Sequence, residues 1–188
     1  MARPKEFDID VALDAAVEVF REHGFAGTSA QMLTGAMKIG KQSLYDTFGG
    51  KWQLYCAALK RYSGTETTAH IGLLRQSPTA IAGIEQMLER VVMEAHRPCL
   101  GMSSVSEFSV GNEELVNIRE AAGRTLGTAL LSAIGQAKIA GDLAVDLDPD
   151  EAAAFLLANI AAIRIAARGG ANQDVLSALS RLTLKALK

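Results

Sequence analysis

Aromatic residues make up only 5% of the 188 residues, with four prolines and two cysteines. Cys56 and Cys99 stand far apart and in no CxxC pattern, which excludes a disulfide framework and a zinc ribbon. Long apolar runs are missing too. The most apolar stretch, 152–167, is interrupted by Asn159 and Arg164 and is too short to span a bilayer. No apolar signal segment opens the sequence. The expectation is a soluble, cytoplasmic protein with no membrane partner.

What is present is 49% hydrophobic residues, so the core must be built from Ala, Leu, Ile, Val and Met. That composition favours helices packed closely through small side chains. The length suffices for a small domain fused to a medium one. Pro4, Pro78, Pro98 and Pro149 all fall where one helix would give way to the next. The net charge of −2 hides a segregation. Residues 6–22 carry Glu6, Asp8, Asp10, Asp14, Glu18 and Glu22 against Arg21, whereas residues 37–61 carry Lys38, Lys41, Lys51, Lys60 and Arg61 against Asp46. A nucleic-acid binder needs local positive charge on the face that meets phosphate, not a basic average. Charge alone fits an ordinary solvated helix surface equally well.

Hydrophobic periodicity predicts an all-α chain of about nine helices, with no strand-like alternation and no repeat. Asp8 can cap the first helix, whose Leu13, Ala16, Val17 and Phe20 form one apolar stripe. Gly24 ends it. Thr28 and Gln31 match a capping box for a second helix that turns Met32, Leu33, Ala36 and Met37 inward. Lys38-Ile39-Gly40 breaks the chain. A third helix is anchored by Leu44 and Phe48 and stopped by Gly49-Gly50. A long helix then starts at Lys51 with Leu54, Tyr55, Ala58, Leu59 and Tyr62 on its inner face. Further helices are expected from Pro78, from Cys99, over 113–140, from the strong start Asp148-Pro149-Asp150-Glu151, and from Asn172 or Asp174.

Residues 28–51 carry the chemistry. Two short helices separated by a tight break form a helix-turn-helix, and the second presents a hydrogen-bonding edge. Its Lys41 can donate to guanine O6 and N7, and Gln42 can pair with adenine N6 and N7. Ser43 and Tyr45 can donate to phosphate or bases. Thr28 and Lys51 stand at helix N-termini, where backbone amides and the dipole attract phosphate. With Gln31 these form the candidate DNA-binding set. The competing reading is a helical hairpin with a solvated polar face, since short patterns of this kind match by chance.

The match extends beyond that pattern. Phe7-Asp8, Ala15-Ala16 through Phe20, Gly24-Phe25 with Thr28, and Gly40-Lys41-Gln42-Ser43-Leu44-Tyr45 through Phe48 to Lys51 fall in order. This resembles the N-terminal domain of the TetR family of transcriptional repressors, strongly over residues 3–62. It continues more loosely through Pro98-Cys99-Leu100 and residues 148–171. The resemblance implies a homodimer in which three N-terminal helices bind DNA and a larger helical domain binds a small effector and dimerises through its last two helices. It implies residues 41–48 as the recognition helix, Tyr45 near the DNA backbone and Lys51 on a phosphate. Three positions depart from the family. Lys38 replaces a common glycine, so either it takes a left-handed conformation at some cost or the turn differs slightly. Gly50 weakens the cap of the fourth helix. Asp46 can accept from cytosine N4 or point away, and the second is the expectation.

The expected division is a helix-turn-helix domain at residues 1–50 and an effector-binding and dimerisation domain at 51–188, the helix from 51 linking them. The candidate pocket comprises Met87, Val91, His96, Met102, Phe108, Leu126, Leu130, Phe155 and Asn159, although Met more often fills core gaps. His70, His96, Asn159 and Arg164 are polar residues among apolar neighbours, read first as surface or satisfied-core groups. Ala158, Ala162, Ile165, Leu176, Leu179 and Leu182 are the candidate dimer interface, because a helix apolar on most sides needs a cover.

The sequence thus reads as a non-enzymatic, ligand-responsive transcriptional regulator without a cofactor or metal. It would be a dimeric repressor released from a palindromic double-stranded DNA operator by a small-molecule effector. The alternative is a redox- or electrophile-sensing regulator using Cys99, which stands beside Arg97 and near His96. A thiol enzyme using Cys99 and His96 lacks an oriented third group. A helical interaction module is the remaining class.

Overall fold

A computed structural model describes residues 7–188, which leaves Pro4 and Glu6 outside the described residues. Among the described residues the chain forms nine α-helices and no strand. In chain order they are α1 (Ile9–His23), α2 (Ala30–Met37), α3 (Lys41–Phe48), α4 (Lys51–Gln76), α5 (Ala80–Met93), α6 (Leu100–Phe108), α7 (Glu113–Ile139), α8 (Pro149–Arg168) and α9 (Gln173–Lys185). They group into two compact units. The first takes the described residues of Met1–Thr65 together with Pro98–Glu120, and the second takes Glu66–Arg97 and Ala121–Lys188. The unit that contains α1 to α3 therefore also contains α6, which the sequence division at residue 50 places elsewhere.

In the first unit the predicted stripe of α1 holds. Ala16, Val17 and Phe20 are buried, Leu13 is half-buried, and Ala12 is buried with them. They pack on Leu33, Met37 and Leu44 from α2 and α3 and on Leu54, Tyr55, Ala58 and Leu59 from α4. Asp8 caps α1 by accepting from the amides of Asp10 and Val11. The capping box at α2 does not form. Ser29 is the cap and accepts from the Met32 amide at 3.1 Å. Thr28 is spent elsewhere: its hydroxyl donates to the Gly24 carbonyl at 2.5 Å. The helix therefore starts one residue later than predicted, and Ala36 faces solvent. Lys38 takes the left-handed alternative, φ 54° and ψ 40°, which costs a non-glycine residue about 1–2 kcal/mol.

The second unit has two apolar clusters. Leu74, Ile84, Met87, Leu88, Leu130, Ile134 and Leu156 lead one; Val91, Val92, Ile163 and Leu176 lead the other. Gly83 lets α5 close on the end of α4, since a Cβ there would stand 3.0 Å from both the Cα and the carbonyl oxygen of Leu74. Backbone atoms cannot retreat as a flexible side chain could.

Between α4, α5 and α8 lies a charged cluster. Arg164, only 5% exposed, donates to Glu66 at 3.0 Å. Arg90 donates to the other oxygen of Glu66 at 2.9 Å and pairs with Glu94 at 3.1 Å. Arg164 is thus a satisfied core group, one of the two readings left open for it. Burial pushes the Glu66 carboxyl up, but hydrogen bonding and charge from Arg90, with Arg164 and His70, outweigh that and hold it below the usual range. His70 is buried, with Nε2 3.4 Å from Arg90 Nη1. A guanidinium only donates, so Nε2 accepts and the ring proton sits on Nδ1, which has no partner. Burial, then the charges of Arg90 and Arg164 against the opposing Glu66, push the imidazole down to about 4.

Below an unfolded-state pKa of about 6.5 the unfolded chain binds a proton that the folded chain refuses. His70 therefore contributes full stability above pH 6.5 and progressively less as pH falls toward 4. Urea denaturation of wild type should show a loss of about 2 kcal/mol from this group between pH 6.5 and 5. His70→Gln should flatten that slope. An unchanged slope would place the titration on another group.

Candidate nucleic-acid interface

α3 meets the two demands on a reading helix. Its inner edge is fixed by buried Leu44 and by Phe48 packed on the same core. Its outer edge presents Lys41, Gln42 and Tyr45, all exposed, with Ser43 half-buried beside them. Tyr45 is 46% exposed and lies over Gly50, where a Cβ would come within 3.6 Å of its ring. Gly40 precedes α3 and supplies no side-chain cap. Lys38, exposed and left-handed, adds a second cation next to Lys41.

The remaining predicted residues divide. Gln31 is exposed on the first turn of α2. Lys51 is half-buried at the start of α4, its ammonium 4.3 Å from the centre of the Phe25 ring. Thr28 does not present its side chain. It is 2% exposed, with its hydroxyl on Gly24 and its amide donating to the Phe25 carbonyl at 3.3 Å. It builds the turn that precedes α2. Asp46 accepts from Gln42 Nε2 at 2.8 Å, one turn along α3. That bond aims the Gln42 amide and takes up one of its hydrogens.

The charge segregation has a second use. Arg61 makes a forked pair with Asp14, Nε and Nη2 each donating at 2.9 Å, and Nη1 reaches Asp10 at 2.9 Å. Hydrogen bonds to Asp14, then its charge, with Asp10 adding to both, push the guanidinium pKa up. The acids of α1 thus occupy a base of α4 and leave Lys38, Lys41 and Lys51 as the cations around α3. Periodicity offered no view of this pairing, because the partners are 47 or more residues apart.

The predicted pocket residues do not come together. Met102 and Phe108 belong to the first unit; the others belong to the second. There Met87, Leu126 and Leu130 close one core and Val91 the other, while His96 and Phe155 face solvent. Asn159 donates to the Phe155 carbonyl of its own helix at 2.8 Å. Two clefts of the second unit are lined by other residues. One of about 710 Å³ has Ile71, Arg75, Thr125, Thr128, Ser132 and Gln136 in its walls. Another of about 380 Å³ runs along Glu89, Met93, Ser177 and Arg181. Cys99 is half-buried at the start of α6, where its side chain makes no capping bond. Cys56 is buried, and burial with a hydrogen bond to Glu114 pushes its thiol up to about 12.

Two short helices joined by a left-handed residue, the second with an apolar inner and a donor-rich outer edge, define a helix-turn-helix DNA-binding regulator. Residues 12–58 match the model of the family described as bacterial regulatory proteins, tetR family. The HTH-type transcriptional regulator YezE of Bacillus subtilis (strain 168) is 32% identical over 148 residues, 76% of each chain. The HTH-type transcriptional repressor ComR of Escherichia coli (strain K12) is 26% identical over 97% of this chain and 90% of its own. A cysteine mutant of the TetR family transcriptional regulator CifR, solved with 26-bp double-strand operator DNA, superposes with a TM-score of 0.77. It shows 28% identity, and each chain is covered in full, 100%. The chain belongs to the TetR family and is a DNA-binding transcriptional regulator.

The placement of Thr28 carries a test. Thr28→Val removes the bond to Gly24 and should lower stability by about 1 kcal/mol in chemical denaturation. A loss of DNA affinity with stability unchanged would return Thr28 to the phosphate-contacting set.

Proposed function

We propose that the protein is a dimeric, ligand-responsive repressor that places α3 in the major groove at each half of a palindromic operator. The observation that carries this is the outer edge of α3. Lys41 and Gln42 stand at its N-terminal end, the part of a recognition helix that reaches base edges. They read the sequence. Tyr45, Ser43, Gln31 and Lys51 face the DNA backbone and set the register. Repression is supported by the likeness to ComR, and operator binding by the likeness to CifR. No helix among the described residues is long and apolar enough to cross a membrane, which suits work on DNA in the cytoplasm. A small effector bound in the second unit changes the spacing of the two reading heads, so that they no longer fit both half-sites.

The test of the reading residues uses duplexes selected by the wild type from a randomised pool. Lys41→Ala with Gln42→Ala should reduce the preference for the selected duplex over a scrambled one by about tenfold or more. Weak, salt-sensitive binding to both should persist. If the double variant still selects the same duplex, other residues read the bases.

The dimer reading rests on an apolar face with nothing over it. Phe155, Ala158, Ala162 and Ile165 line one exposed side of α8, and Leu182, 61% exposed, stands on α9. Leu179 is half-buried beside them. Leu176 is fully buried within its own chain and drops out of the set. A second copy packing the same helices antiparallel covers both faces at once. Ile165→Glu with Leu182→Glu should convert a dimer to monomers in sedimentation velocity. A dimer that survives both changes would place the interface elsewhere.

A further inference from the structure

α1 ends at Gly24 with φ 65°, and the turn that follows leaves two consecutive amides, Phe25 and Ala26, directed out of the helix. Both are taken by one side chain from α6. Glu107 Oε1 accepts from Phe25 at 3.0 Å and Oε2 from Ala26 at 2.9 Å. Paired backbone N–H groups of this kind make an anion-binding concavity, and here a carboxylate 81 and 82 residues along the chain fills it. A Cβ on Gly24 would stand 2.4 Å from Glu107 Oε1. Glycine suits the positive φ at this position, and a side chain there would oblige the Glu107 carboxylate to shift from its seat.

The same segment is held at further points. Arg21 Nε donates to the Pro98 carbonyl at 3.0 Å, just before α6. The Phe25 ring meets Phe108 edge-on at 5.6 Å between centres, one residue beyond Glu107. Phe25 is therefore gripped by its amide and by its ring from adjacent positions of α6. Between this turn and α3 lie Ser29, α2, the left-handed Lys38, Ile39 and Gly40. The direction of α2, and through it the angle at which Lys41 and Gln42 leave the surface, is set where the turn is pinned.

We propose that Glu107 is a positioning residue for DNA reading, fixing the α1–α2 turn and thereby the aim of α2 and α3. The proposal rests on α3 as the reading helix. Glu107 is solvent-exposed and adds nothing to the apolar core, so its loss loosens the turn without unfolding the unit. Movement of α6 is then felt at the DNA-facing surface through two hydrogen bonds.

The test uses the full chain with Glu107→Gln and Glu107→Ala, and the duplex selected by the wild type. Helical content and melting temperature should stay close to wild type. Affinity for the selected duplex should fall about tenfold while affinity for a scrambled duplex does not change. Hydrogen exchange at the amides of Phe25 and Ala26 should speed up by a similar factor. Glu107→Asp, with a shorter reach, should fall between. A uniform loss of affinity for both duplexes that follows a lowered melting temperature would make the contact merely structural and overturn the proposal. So would unchanged exchange, or faster exchange with selected-duplex affinity within about twofold of wild type. A wild type that selects no duplex would overturn the operator reading and this proposal together. A wild type that selects one while the variants match it would overturn this proposal alone.

Discussion

The contact on which the first unit depends is the seat of Phe25 among Trp52, Tyr55 and Phe108. Its ring meets theirs at 5.4, 5.2 and 5.6 Å, all edge-on. Phe20 meets Tyr55 at 5.0 Å in the same way. A chain with one Trp, three Tyr and six Phe thus spends five of them in one place. Each such pair adds about 0.5–1.5 kcal/mol beyond its buried area. Edge-on geometry also has a direction, which aliphatic packing lacks. The end of α1, the start of α4 and the end of α6 are brought to one point and held at defined angles. Trp52 adds a hydrogen bond to Glu114 at 3.3 Å, bringing in the first turn of α7.

Charge is used twice around this core. Acids of α1 hold Arg61, and a carboxylate of α6 holds the amides after Gly24. These pairings are on the surface and contribute little to stability one by one. Their effect is on direction, because a forked pair or a two-point carboxylate contact accepts one approach. The second unit draws one charged set inward. Glu66 is shared by Arg90 and Arg164, and breaking such a set strands a buried charge, which costs more than the intact set contributes.

Much of this was legible beforehand because it is local. Asp8 and Asp148 cap the helices they were expected to cap, and Asn172, one of two candidates with Asp174, caps the last, since a cap and its amides lie within three residues. The span of α3 followed from the same short-range logic, whereas the left-handed Lys38 came from the family resemblance, which puts a glycine there. The cap of α2 was misread because Thr28 and Ser29 are equivalent in pattern. The Gly24 carbonyl, within reach only once the turn has folded, decides between them. The pocket set failed for a different reason. Periodicity identifies the apolar face of a helix, but the side chains opposite determine whether the space there is filled. Met87 and Leu130 face other side chains, not a void.

By itself the sequence determined the helices, their order, the break at Lys38-Ile39-Gly40 and the donor-rich edge of α3. Each depends on residues one or two turns apart, which backbone geometry brings together whatever the rest of the chain does. Tertiary structure alone decided that Asp10 and Asp14 belong to Arg61, that Glu66 belongs to two arginines, that Leu176 is core while Leu182 is exposed, and that Glu107 holds the turn before α2. Those outcomes join residues up to 98 apart, and no local pattern records a partner that only the packing of whole helices brings within 3 Å.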